Sequence, residues 1–208
     1  MEELLKALQG LKESKIKLLI DARMEEFRKA GEGPIEEIFK ELCFCVLTAN
    51  FSAERGIKMQ QEIGNGFLSL SESELAGRLR MLGHRYPEAR ARYIVEARRH
   101  LGSLKSVLGS FYSQGALRDW LAENVKGLGY KESSHFLRNI GFRDLAILDF
   151  HIIDLLVKCN LIDRPKTLTK KRYLETEGLL RKIGKKVDLS LAELDLYLWY
   201  METGRILK

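Results

Sequence analysis

The stretch that most constrains this chain is Val125 to Asp149, VKGLGYKESSHFLRNIGFRDLAILD. It sets Gly127-Leu128-Gly129 between two helical patterns. Before the glycines, Leu117, Trp120, Leu121, Asn124 and Val125 recur at helical spacing; after them, Ser133, Phe136, Leu137 and Ile140 do the same. Glycines at 127 and 129 permit positive φ and let another backbone approach without a Cβ in the way. Such a turn points successive N–H groups outward, and the following helix adds the positive end of its dipole. Together they form a cradle for phosphate.

Small residues at Ser133 and Ser134 let the two helices pack closely. An apolar residue, Gly-apolar-Gly and then a small residue in the next helix make the helix-hairpin-helix pattern, here over about residues 115–141. The pattern points to binding of a nucleic-acid backbone. The competing reading is a helix that ends on a C-cap glycine before an ordinary helix start.

Lys131 lies two residues past the hairpin, in the first turn of the next helix. A free lysine amine is protonated at neutral pH and must lose that proton before it can attack carbon. A partly desolvated site at a helix N-terminus, facing cationic partners, disfavours the ammonium form. The bland alternative is a lysine that only touches a phosphate. Asp149 weighs against it. It stands between the apolar runs Leu145-Ala146-Ile147-Leu148 and Phe150-His151-Ile152-Ile153. It also reads as an N-cap, and the two roles are compatible: one oxygen caps while the other faces a cleft.

The 208 residues suffice for one domain or two small lobes. The net charge of +6 is consistent with a polyanionic partner and does not demand one. Cys43, Cys45 and Cys159 are odd in number and mostly in apolar surroundings, which suggests buried thiols in a reducing compartment. The N-terminal MEELLKALQG is charged, and no apolar run is long enough to span a membrane. An intracellular location, cytoplasmic or nucleoid-associated, follows as the expectation. Only three prolines and helical periodicity nearly throughout predict an all-α protein.

In chain order, residues 2–31 read as two helices, and Pro34 opens a strongly apolar third that ends in Thr48-Ala49-Asn50-Phe51-Ser52. Asn50 is a turn former there, ahead of Ser52 as an N-cap. Ser71-Glu72-Ser73-Glu74 is a capping box for a helix over Leu75–Leu82. Gly83-His84-Arg85-Tyr86-Pro87 is a turn before a helix over Glu88–His100. Arg80, Arg85, Arg90, Arg92, Arg98 and Arg99 concentrate positive charge around it. That is either a solvated basic face or a binding surface, with His84 or Arg85 at the tip as a planar or cationic wedge. Residues 103–112 look structural. Beyond Asp149 the pattern predicts helices over Phe150–Lys158, Tyr173–Val187 and Ser190–Glu202, with a loop at Asn160–Thr169. The last helix carries Tyr197, Trp199, Tyr200 and Met201.

Gly-Leu-Gly-Tyr-Lys followed by Leu-Asp-Phe-His resembles the helix-hairpin-helix DNA glycosylases. Leu-Thr-Ala-Asn-Phe-Ser and the final residues narrow the resemblance to the type-2 8-oxoguanine DNA glycosylase/AP lyases. It covers most of the chain. One departure is that Gly141-Phe142-Arg143-Asp144 has the glycine but not the proline of that family's loop. The resemblance implies two helical lobes with a DNA-binding cleft between them, the segments 1–33 and 150–208 forming much of the second lobe. It implies a monomer acting on duplex DNA that contains 8-oxoguanine, with Lys131 as a Schiff-base nucleophile and Asp149 as its carboxylate. Gly127, Gly129, Asn50, His84 and Arg85 would contact DNA, Asn50 filling the gap left by an extruded base. Trp199 and Lys208 would receive that base, Lys208 through a carboxylate or its side chain. No cofactor or metal is implied. The four-cysteine iron–sulfur loop of related enzymes is absent from the sequence, and a monovalent cation on the hairpin carbonyls is compatible with the pattern. Three alternatives stay open: a glycosylase for oxidised pyrimidines, a monofunctional glycosylase, and a non-catalytic DNA-binding protein.

Overall fold

The computed structural model describes residues 1–208, which form thirteen α-helices, one short 3-10 turn and no strand. The chain opens with α1 (Glu2–Lys12) and α2 (Ile16–Glu32). It then builds α3 (Ile35–Thr48), α4 (Ala53–Ile63), the single turn α5 (Gly66–Ser69), α6 (Glu72–Met81), α7 (Pro87–Ala97), α8 (Leu101–Ser110) and α9 (Gln114–Asn124). The hairpin leads into α10 (Tyr130–Asn139), and α11 (Phe150–Lys158), α12 (Lys170–Lys186) and α13 (Leu191–Thr203) complete the chain.

These helices enclose two apolar cores. One belongs to α3–α10 and includes Phe39, Phe44, Phe67, Leu79, Ile94, Leu121 and Phe136. Its axis is α3, buried at every position from Leu42 to Thr48. A helix apolar on all faces has no solvent side and is covered all round. The other core is discontinuous in sequence. It joins Leu8 and Ile20 of the first two helices to Leu156, Ile183 and Leu198 of the last three. The molecule is therefore two helical lobes, one of them closed by both ends of the chain. Helix α10 lies between them and buries every residue from Ser133 to Asn139. Its end meets α2 so tightly that a Cβ on Gly31 would sit 2.1 Å from the Ile140 carbonyl oxygen.

Most boundaries follow the sequence signals. Helix α11 has the expected limits, and Ser71 and Ser190 close their capping boxes. Helix α12 starts three residues before the expected Tyr173 because Thr169 accepts from Arg172 N and caps an extra turn. The helix expected over Glu88–His100 tightens into a 3-10 turn at Arg98–His100. Cys43 and Cys45 are buried and Cys159 is half-buried; burial pushes both buried thiols above their ordinary range.

In the hairpin only Gly127 uses the left-handed region, at φ +92°. A Cβ there would also stand 2.7 Å from the Tyr93 ring. Gly129 is extended (φ −91°, ψ −168°), a conformation open to any residue. This corrects the expectation that both glycines serve for positive φ.

Between α10 and α11 the chain crosses from one lobe to the other as Leu145–Leu148, buried yet without helical hydrogen bonds. Side chains replace that ladder, as buried backbone groups require. Ala146 N donates to Glu177 Oε2 (2.9 Å). Tyr173 Oη donates to the Ala146 carbonyl (2.7 Å) and accepts from Leu148 N (3.3 Å). Glu177 is fixed in turn by both Nη atoms of Arg118, at 2.5 and 3.1 Å. The guanidinium packs against both the Tyr130 and Tyr173 rings, with its carbon 4.7 and 5.3 Å from their centroids.

Two stability predictions follow. Glu177→Ala strands a buried guanidinium and an amide, and is expected to destabilise the fold by about 3–5 kcal/mol, read as a lower urea midpoint at unchanged slope. Gly127→Ala combines a disfavoured φ with contact against Tyr93, and is expected to cost about 1–3 kcal/mol in the same assay.

Candidate active site

The cleft between the lobes has a volume of about 940 Å³ and is lined by Asn50, Arg85, Lys131, Asp149, Trp199 and Lys208 among others. Gly127, Gly129 and His84 are not in its lining. The two glycines lie at the entry to α10, on the approach to Lys131.

Lys131 is the second residue of α10, and its side chain is about a quarter exposed, at 24%. Its ion-pair partner is its neighbour: Nζ lies 3.3 Å from Glu132 Oε1. The other Glu132 oxygen accepts from the Gly129 N–H at 3.3 Å. One carboxylate thus bridges the hairpin and the lysine.

Asp149 caps α11, its Oδ1 accepting from Ile152 N at 2.9 Å. Burial raises its pKa above the ordinary value, while the Ile152 N–H and the charge of Lys131 pull it back. The carboxylate is placed by the crossing segment before it and by the cap after it. Next to it Phe150 is exposed, at 67%, and its ring lies 3.9 Å from that of His151. His151 meets Trp199 edge to face at 4.6 Å. The cleft therefore has an aromatic wall, and the Trp199 indole N–H is buried with no acceptor.

Asn50 is exposed in the left-handed region, φ +55°, which asparagine tolerates well. Arg85 is exposed at the tip of the α6–α7 turn, with its guanidinium carbon 5.1 Å from the Tyr86 centroid. The structure corrects the reading of its neighbour. His84 is only 5% exposed and uses both ring nitrogens inside the protein. Nε2 bonds the Leu47 carbonyl at 3.0 Å, and Nδ1 accepts from Tyr86 N at 3.0 Å. Its ring stacks on Phe51 at 4.3 Å, so it braces the turn from within and is not a wedge. Part of the basic cluster is structural as well. Arg90 donates to the Ala49 carbonyl (2.6 Å), Arg98 to that of Phe67 (2.8 Å) and Arg99 to that of Asn124 (3.1 Å).

Three further residues of the site carry little sequence signal. His135 follows Lys131 by one turn on the same face of α10 and lines the cleft at 7% exposure, edge to face with Phe44. Burial, then the nearby Arg138 and Lys131 charges, hold its pKa well below the ordinary value, which keeps the ring neutral. Arg138 and Asp195 form a buried ion pair between α10 and α13. Burial pushes the Asp195 carboxyl up to about 6, against the pull of Arg138. The spacing of Lys131 and His135 was the one available clue to the histidine. No helix of the protein is long and apolar enough to cross a membrane.

The 8-oxoguanine DNA glycosylase family profile matches residues 20–189. An 8-oxoguanine DNA glycosylase/AP lyase of Korarchaeum cryptofilum is 50% identical over 100% of this chain and 99% of its own length. One from Methanocaldococcus jannaschii is 52% identical over 99% of both chains. Among solved structures, the Methanocaldococcus jannaschii 8-oxoguanine glycosylase/lyase in complex with a 15mer DNA containing 8-oxoguanine superposes with a TM-score of 0.96 at 51% identity, covering 99% of this chain and 100% of that one. The 8-oxoguanine DNA glycosylase of Thermotoga maritima gives 0.93 at 50% identity, covering 100% and 99%. With two helical lobes, a helix-hairpin-helix and a cleft holding Lys131 and Asp149, this chain belongs to the 8-oxoguanine DNA glycosylase family.

Proposed function

We propose that the protein excises 8-oxoguanine from duplex DNA and then cuts the strand 3′ to the abasic site. The observation that carries this reading is the convergence of Lys131 and Asp149, from either side of the crossing segment, on one cleft with an aromatic wall. The hairpin N–H groups and α10 hold backbone phosphate. Arg85 enters the duplex at the gap and Asn50 pairs with the orphaned base. The extruded 8-oxoguanine enters the cleft against Trp199 and Lys208.

Chemistry begins at the Lys131 Nζ. The ammonium gives up a proton, for which the Glu132 carboxylate is an acceptor 3.3 Å away. The freed lone pair forms a bond to C1′ as the C1′–N9 bond breaks, and the base leaves with the bonding pair and takes up a proton. Asp149 stabilises positive charge on the sugar during this step. Ring opening gives a Schiff base between Nζ and C1′. Loss of a proton from C2′ then expels the 3′ phosphate by β-elimination, and water releases Lys131. No step is routed through a metal or an iron–sulfur cluster.

Borohydride reduction traps such a Schiff base. Native protein mixed with an 8-oxoguanine duplex is expected to give a covalent adduct; Lys131→Gln should give none while binding the duplex within about twofold of native. Strand cleavage retained by Lys131→Gln would remove the lysine from the reaction.

The acid side of the rate profile reports Asp149. Only its ionised form stabilises the sugar cation. Because burial raises its pKa, that form is lost as pH falls through a value above the ordinary aspartate range. Base loss is therefore expected to decline at a higher pH than an exposed aspartate would give. Asp149→Asn should be slower by about 100-fold and lack that limb, with the fold kept because asparagine also caps helices. An unchanged acid limb in Asp149→Asn would place the titrating group elsewhere.

A further inference from the structure

The side chain of Lys208 does not point into the open cleft. Its ammonium is held in a socket on the opposite lobe, 2.6 Å from Glu41 Oε1 of α3 and 2.5 Å from Gln60 Oε1 of α4. It also lies 4.7 Å from the centroid of the Phe44 ring. Both charged side chains are largely buried, at 19% and 15% exposure, so this pair is shielded in a way that surface pairs are not.

Glu41 is itself oriented in advance. Gln60 Nε2 donates to Oε1 at 3.0 Å, and Asn139 Nδ2 donates to Oε2 at 3.2 Å. Asn139 Oδ1 is held by Arg138, at 3.0 and 3.2 Å. Arg138 pairs with Asp195 of α13, the helix from which residues 204–208 emerge. The contacts thus form a closed ring from α13 through residues 204–208 to Glu41, and back through Asn139 and Arg138 to α13.

Residues 204–208 are held by that ring, by the Arg205–Glu54 pair and by Ile206 against the second core. The last main-chain bond in the segment is Gly204 N to the Tyr200 carbonyl. Beyond it, Arg205 N donates to Thr203 Oγ1 and Arg205 pairs with Glu54. Leu207 and Lys208 nonetheless form part of the cleft wall. A wall without its own backbone ladder keeps its place only through side-chain anchors.

We infer that Glu41 is a positioning residue for base selection: by anchoring the Lys208 ammonium across the two lobes, it fixes the cleft wall against which the extruded base is seated. Glu41 does not line the cleft that holds Lys131, and it reaches that cleft through Lys208. The inference rests on the excision reaction proposed above.

Glu41→Gln and Gln60→Met are compared with the native chain in two single-turnover assays. One measures release of 8-oxoguanine from duplex DNA. The other measures cleavage of a duplex with a preformed abasic site, which presents no base to the cleft. Base release is expected to fall about tenfold or more in each variant, with abasic-site cleavage within about twofold of native. The double variant should lose less than the product of the two single losses, because both changes open one socket around the Lys208 ammonium. If Glu41→Gln perturbs α3 and lowers the urea midpoint, Gln60→Met tests the same socket from α4. Native base release in either variant overturns the inference, as do additive losses or a parallel loss of abasic-site cleavage. A native chain that releases no base overturns the proposed function itself, a result distinct from active native protein with unaffected variants.

Discussion

The site depends on the buried Arg118–Glu177 pair. The pair joins opposite charges through both Nη atoms and also supplies the acceptor for the Ala146 amide in a segment with no helical ladder. A buried ion pair contributes little to stability compared with an apolar replacement. Here its geometry does something apolar side chains cannot do. It lets the chain run extended through the boundary between two cores, with Tyr173 completing the backbone bonding. Asp149 is the first residue beyond that segment. Its position relative to Lys131 is set by α9, α10 and α12 together, through Arg118, Ser134 and Glu177.

The electrostatics of the cleft follow from the same burial. Burial first, and then the charges of Arg138, Lys131 and Lys208, keep the His135 imidazole neutral. Two carboxyls, Asp149 and Asp195, are raised by desolvation. Glu132 and Glu41 instead sit directly against lysines. The four carboxylates thus divide into two that are desolvated and two that hold ammonium groups in defined places. Each lysine is thereby oriented in the free protein.

Much of this was legible in the residues, for reasons that can be stated one by one. Asp149 ends one apolar run and starts another, so it reads as a cap, and α11 has the limits that this implies. Gly127 is demanded by its φ, and the sequence marks it. The turn at Gly83–Pro87 was legible as a turn, but composition cannot say which side chain of a polar tip faces inward. His84 went in because the Leu47 carbonyl at the end of α3 needed a partner. Arg90 and Arg98 were hidden in the same way, since their acceptors are main-chain carbonyls 41 and 31 residues away. Glu41 carries no local signal: it lies in an apolar helix, and its partner is 167 residues distant.

The interleaving of the two cores has a consequence for how the molecule is made. The lobe of α3–α10 is continuous in sequence, so it can condense on the ribosome as soon as Leu145 has emerged. The other lobe joins the first thirty residues to the last sixty, and the core that buries Leu8 and Ile20 of α1 and α2 is not complete until α11, α12 and α13 are synthesised. Long loop closure makes that step late and slow. Lys131 is then in place on a folded lobe before Asp149 is, since the carboxylate waits for Glu177 and Tyr173 of α12 to order the segment ahead of it. A nascent chain therefore displays its hairpin and lysine while the pocket for the base does not yet exist. Premature engagement of nucleic acid by a growing chain would be binding without chemistry.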